Sequence, residues 1–237
     1  MSRSKQSPPQ GMTRKQEREA SRLLGRHVSP EKALAAILAT SLCCLLPILL
    51  GLRLWEKIPP IVETGLVDLS GQDDSMPRPM LVFAVPGLGF VLNAIVHGQL
   101  WLHQKAEKIP PTPSRLLGRW TIPPLSLLLS SFWILGAASQ PRDAAFFLPC
   151  LLGLALLLLG GHFFDCDRDA RIAFRLERLR LSARRWQTVH RIAGVSWMLA
   201  GLLLPGLLFA LGALPLWSAA PMLLLLASPL AAACLVK

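Results

Sequence analysis

Six apolar blocks, each about the length a helix needs to cross a bilayer core, run through this 237-residue chain, and no Asp, Glu, Lys or Arg stands in the middle of any of them. They fall at about Ala33–Leu54, Met80–Leu102, Ile122–Ala138, Ala144–Phe164, Ile192–Ala213 and from the turn at Leu214–Ala219 to Val236. A backbone exposed to lipid has to satisfy its own hydrogen bonds, so apolar segments of this length read as helices. Apolar residues make up 52% of the chain and mean hydropathy is +0.46. The fold class is therefore an all-α integral membrane protein, a six-transmembrane helical bundle. Only Ser139 to Asp143 separate the third and fourth blocks, which makes them an antiparallel pair.

The net charge of +11 would suit nucleic acid, but the basic residues sit between the apolar blocks and act first as topology determinants. Residues 1–32 form a basic, partly disordered leader with Arg3, Lys5, Arg14, Lys15, Arg18, Arg22 and Arg26. Ser29-Pro30 reads as a helix start, with Ser29 as N-cap and proline at the first helical position. Lys105 to Arg119, Arg168 to Arg191 and Lys237 fall on the leader's side of the membrane. The stretch Trp55 to Pro79 carries Glu56, Glu63, Asp68, Asp73 and Asp74 and falls on the other side as an acidic, turn-rich loop. Only Lys57, Arg78 and Arg142 join it there, with Arg53 snorkelling from a span end. The expectation is a multi-pass plasma-membrane protein with both termini cytoplasmic and the first block retained as a signal anchor. Trp55, Trp101, Trp120 and Trp217 fall at the expected interfaces.

Between the fourth and fifth blocks, Ile172, Leu176, Leu179, Ala183 and Trp186 recur at helical spacing, flanked by Arg171, Arg175, Arg178 and Arg185. This is a basic amphipathic cytoplasmic helix at about 168–190, either a plain connector or a surface for anionic lipid headgroups and a partner. Inside the spans the polar exceptions are Asn93, His97 and Gln99, then Ser126, Ser130 and Ser131, and His162. Asn93 and His97 share a helix face, where they either line a small polar pocket or bond between helices. Prolines 47, 86, 149 and 205 shape the helices, and Gly51, Gly87, Gly89 and Gly160-Gly161 permit close helix approach. Asp165, Asp167 and Asp169 have a spacing that could hold a divalent cation, with Arg168 and Arg171 at hand to neutralise them. Cys43, Cys44, Cys150 and Cys234 lie in apolar runs, and Cys166 borders the basic loop as an S-acylation or metal candidate. Phosphate loops and the common hydrolase motifs are missing, so the expectation is not an enzyme, with no cofactor, no metal and no catalytic residue.

Two stretches carry a family resemblance. Lys57-Ile58-Pro59-Pro60 through Gly65 and Asp68, followed by the apolar Met80 to Asn93 with Pro86, resembles a DUF1648 domain over residues 33–102. Ile61 or Val62 stands where that family has a histidine. Ile172-Ala173-Phe174-Arg175, then Ser182, then Trp186-Gln187-Thr188-Val189-His190-Arg191-Ile192-Ala193-Gly194, is similar to the motif of Sdp-type immunity proteins, within residues 103–237. Ala173 replaces a glycine there, and Leu176-Glu177 replace Thr-Pro. The resemblance implies immunity to, or sensing of, a secreted toxic peptide, with a small DNA-binding repressor drawn to the inner face. Its motif falls on Arg175, Trp186, His190, Arg191 and Gly194, which the expected mechanism gives to the partner or lipid, while the acidic outer loop with Glu63 and Asp68 is given to toxin contact and Asn93 and His97 to a small polar pocket in the second span. The other class of function open to such a bundle is a transporter or exporter subunit, with a cavity around Asn93, His97 and Ser130.

Overall fold

The computed structural model describes residues 30–67, 73–105, 117–164, 166, 173–174 and 182–235, with the backbone alone for 64–67, 73–74, 104–105, 183 and 235. Six helices are long and apolar enough to cross a membrane: Pro30–Arg53, Met80–His103, Leu117–Ala137, Ala144–Phe163, Arg184–Leu211 and Leu216–Cys234. The chain is an all-α multi-pass membrane protein. Large apolar side chains face outward in rows, such as Leu34, Leu38, Leu42, Leu49 and Leu52 on the first span, a surface suited to acyl chains.

The first span is two helices, α1 (Pro30–Leu45) and α2 (Pro47–Arg53), joined at Leu46. Pro47 has no N–H for the turn before it, and the Leu46 N–H is shared between the carbonyls of Leu42 and Cys43, at 3.1 and 3.4 Å. Near this break the Ser126 hydroxyl of the third span donates to the Cys44 carbonyl at 3.1 Å. Gly89 makes room for that bond, because a methyl group there would run into Ser126.

The acidic stretch expected as a loop carries an antiparallel hairpin, β1 (Ile61–Val67) with β2 (Asp73–Pro77). Ile61 pairs with Pro77, Val62 with Met76 and Glu63 with Ser75, and a bulge precedes the Val67–Asp73 pair. The two-residue period of a strand puts Val62 into the core and leaves Ile61 and Glu63 exposed. Arg78 anchors the hairpin's foot: its Nη1 donates to the Trp55 and Ile58 carbonyls at 2.8 and 3.1 Å, and its guanidinium lies 4.3 Å over the Trp55 ring.

The second span opens with a π-helical turn, Met80–Ala84, and continues as α3 (Val85–Lys105). Pro86 offers no N–H to Val82 and would crowd its carbonyl in a regular helix; the wider turn relieves that clash. Val82 is in turn pressed against Gly51, where a methyl group would lie 2.5 Å from Val82 Cγ1.

α4 (Ile122–Ala137) and α5 (Ala144–Phe163) follow one another across a short turn, and α5 packs mainly on the fifth span rather than on α4. The turn between them contains Ser139 at φ 53°, and Asp143 caps α5 by accepting the Phe146 N–H at 3.1 Å. α6 (Ala183–Leu211) begins well before the expected start of the fifth span at Ile192, with Ser182 as its N-cap. It ends on Gly212 in the left-handed conformation (φ 85°), and the Arg53 guanidinium of α2 occupies the space a side chain at Gly212 would need. α7 (Ala219–Leu235) packs on α6, and Trp197 Nε1 donates to the Leu226 carbonyl at 3.3 Å.

α5 and α6 touch backbone to backbone. A methyl group at Gly153 would lie 2.7 Å from the Gly201 carbonyl oxygen, and one at Gly201 would lie 2.6 Å from that of Gly153. About two turns along, one at Gly160 would lie 2.7 Å from the Gly194 oxygen. Gly201→Ala should therefore lower the unfolding temperature in detergent, by the equivalent of about 1–3 kcal/mol of overpacking. Gly98→Ala should not, since a methyl group there meets nothing within 4 Å. Circular dichroism melts of the two variants check this.

Candidate functional site

Three constellations of polar or aromatic side chains stand out, one at each end of the bundle and one inside it. At the hairpin end a cleft of about 450 Å³ lies between the hairpin (Ile61, Val62, Glu63, Met76) and the last turn of α4 (Trp133, Gly136, Ala137), with Arg142 on its rim. A space of this size accepts a small ligand or a few residues of a peptide. Glu63 belongs to the hairpin and Arg142 lies against α4; both line the cleft and are exposed, and no ion pair joins them among the described residues. Arg142 is held flat. Its guanidinium lies 4.2 Å over the Phe132 ring and fills the space above Gly136, where a methyl group would collide with it.

Inside the bundle, Asn93 and His97 of α3 meet Thr40 and Ser41 of α1. Asn93 Nδ2 donates to Thr40 Oγ1 at 3.0 Å and to Ser41 Oγ at 3.1 Å. Thr40 Oγ1 has one proton, and its 2.7 Å bond to the Ala36 carbonyl uses it. The 3.2 Å contact between Thr40 Oγ1 and His97 Nε2 then requires His97 to donate, which assigns its proton to Nε2. Among the described residues the Asn93 side-chain oxygen has no hydrogen-bond partner, although the residue is fully buried. The one-turn spacing of Asn93 and His97 was legible in sequence; Thr40 and Ser41 were not singled out, because a hydroxyl in an apolar helix looks the same whether it bonds its own backbone or a neighbour.

At the opposite end from the hairpin, Trp186 and His190 of α6 stack with ring centroids 4.0 Å apart, and both are buried. Trp186 Nε1 donates to the Cys166 carbonyl at 2.8 Å, and the Phe174 N–H donates to His190 Nε2 at 3.2 Å. His190 Nδ1 donates to the Trp186 carbonyl at 2.9 Å, so the ring is neutral with its proton on Nδ1. Phe174 also packs on Phe163 and Trp197, at 4.9 and 6.0 Å between centroids. One helical turn of α6 thus clasps two points of the segment that leads into it.

That segment differs from a single amphipathic helix over 168–190. Most of it, including Arg175, lies outside the described residues, as do Asp68, Asp165, Asp167 and Asp169. Ala173 and Phe174 are not helical, Ser182 is extended, and Ala183 and Trp186 belong to the head of α6. Trp186 consequently faces Cys166 and His190 instead of acyl chains. Arg191 pairs with Glu31 of α1 at 2.8 Å, an exposed bridge. Gly194 has Phe164 against it, where a methyl group would lie 2.7 Å from Phe164 Cα. Among the described residues no three His, Cys, Asp or Glu side chains gather as a metal site would require.

No known protein-family model, curated protein or solved structure matches the chain.

Replacing Trp186 by Phe keeps the ring and removes the N–H bonded to Cys166. In a Cys234→Ser background this should speed maleimide labelling of Cys166 about tenfold, the effect of one lost hydrogen bond of roughly 1.4 kcal/mol. An unchanged labelling rate would show that the segment is held by other contacts. Thr40→Val removes the acceptor that His97 shares with one N–H of Asn93, whose bond to Ser41 remains, and should lower stability by about 1 kcal/mol, read from the same detergent melts.

Proposed function

We propose that the protein confers immunity to, or senses, a secreted toxic peptide at the plasma membrane of a bacterium. The observation that carries this reading is the cleft beneath the hairpin, a ligand-sized space lined by Glu63 and Arg142, which form no ion pair among the described residues, at one end of a membrane bundle. In the orientation read from the basic leader and the Arg-rich segment, this end is outside, and its acidic hairpin attracts cationic peptides. The clasped segment is then inside. The resemblance to Sdp-type immunity proteins lies there, on Trp186, His190, Arg191 and Gly194, and gives that face to a small DNA-binding repressor or to anionic lipid. The clasp supports such a role because Trp186 and His190 fix the segment's path through main-chain groups at Cys166 and Phe174, whatever its side chains are.

A transporter or exporter subunit is the second reading, favoured by the buried Asn93 oxygen, which has no hydrogen-bond partner among the described residues. It requires a cysteine placed at position 93 to react with a water-soluble thiol reagent; a protected cysteine there speaks against it.

A survival assay in a peptide-sensitive host tests the leading reading. Wild type should protect, and the Trp186→Ala, His190→Ala double variant should lose protection at equal membrane levels. Failure of correctly inserted wild type to protect overturns the reading.

A further inference from the structure

Arg142 is out of place by the rule that distributes charge in membrane proteins. Bases concentrate on the leader's side, and on the hairpin side the other described arginines are already occupied. Arg78 binds the Trp55 and Ile58 carbonyls, and Arg53 covers the end of α6 at Gly212. Arg142 has no carboxylate partner among the described residues, yet its position is fixed more closely than an exposed arginine needs. Phe132 stacks beneath the guanidinium, Gly136 is kept free of a side chain so that the group can lie against the last turn of α4, and the negative end of that helix favours a cation there. A planar guanidinium held in this way at the wall of a cleft is already arranged to take a carboxylate on its edge, and little rotamer freedom is lost on binding.

The rest of the cleft narrows the ligand. Glu63, on the hairpin, repels a ligand that carries only negative charge and can accept from an N–H. The same cleft is lined by the apolar Val62, Met76, Leu81 and Trp133. We propose that the cleft binds the C-terminal end of a peptide, with the terminal carboxylate on Arg142, an apolar side chain against Trp133 and Met76, and a peptide N–H toward Glu63. This deepens the proposed function and rests on the cleft being the ligand site of that reading.

The test uses the full chain in detergent micelles, titrated calorimetrically against empty micelles. The probes are N-acetyl-Ala-Leu-Phe as the free acid, the same peptide as its C-terminal amide, and decanoate. The free acid should bind about tenfold more tightly than the amide, the effect of one charge-assisted hydrogen-bonded contact. Arg142→Gln should erase the difference, Arg142→Lys should keep part of it, and Gly136→Ala, which pushes the guanidinium from its seat, should reduce it. Equal binding of acid and amide, binding of neither, or an undiminished preference in Arg142→Gln overturns the proposal. Decanoate binding as tightly as the acid would overturn the peptide assignment, because Glu63 and the N–H contact would then play no part. Protection in the survival assay alongside equal binding of acid and amide would sink the carboxylate site and leave the immunity reading standing.

Discussion

The contact between the backbones of α5 and α6 sets the geometry on which the rest of the bundle depends. Lipid tails are as apolar as leucine side chains, so two helices in a bilayer gain little from burying leucines against each other. They gain from close approach, which a side chain at the seam prevents. Gly153 and Gly160 on one helix face Gly201 and Gly194 on the other, and the carbonyls of Gly153, Gly194 and Gly201 lie where Cβ atoms would be. With these two axes fixed, Leu157 and Met198 fill the flanks, Phe146 stacks on Phe209 at 5.4 Å, and α1, α2 and α4 close around them. The same approach brings Phe164 onto Gly194, and with it the turn from which Cys166 reaches Trp186. The packing seam and the aromatic clasp are consecutive parts of one helix pair.

The six spans were legible because their signal is length and hydropathy, which no tertiary contact can disguise. The fifth span's start was less so. Arg184, Arg185, His190 and Arg191 depress the hydropathy of a helix that is continuous, and a stripe shared with Ile172 and Leu179 suggested an element ending where this one begins. The hairpin was missed because Ile61–Val67 mixes Glu63, Thr64 and Gly65 into its apolar residues, and its pairing with Asp73–Pro77 is a long-range choice that composition does not report. Of the candidate sites, Asn93 and His97 declared themselves as polar residues in an apolar run. Arg142 appeared in sequence only as a leftover outside charge. Its relation to Phe132 and Gly136 crosses the turn between two helices, so no local spacing reveals it.

Three of the prolines in the spans are accompanied by a local adjustment. Each one removes an N–H and leaves a carbonyl that lipid cannot satisfy, and a group nearby takes up the slack. The Leu46 N–H reaches the Cys43 carbonyl that Pro47 leaves open, at 3.4 Å, a π-helical turn precedes Pro86, and the Ser228 hydroxyl donates at 2.9 Å to the Leu225 carbonyl that Pro229 leaves open. At these three prolines helix irregularity is local hydrogen-bond repair, and beside the Pro47 break the Ser126 bond to the Cys44 carbonyl ties two spans together.

The seating of Arg53 over Gly212 bears on how the chain is assembled. Arg53 leaves the ribosome early, at the end of the first span, while the helix end it covers is made only when most of the chain has been translated. Until then its guanidinium has to wait at the lipid headgroups. The first span therefore enters the membrane with its final partner missing, and its packing at this end is completed only after the fifth span has crossed. Insertion and folding are separate events at this end of the molecule, and the second is closed by an element near the C-terminus.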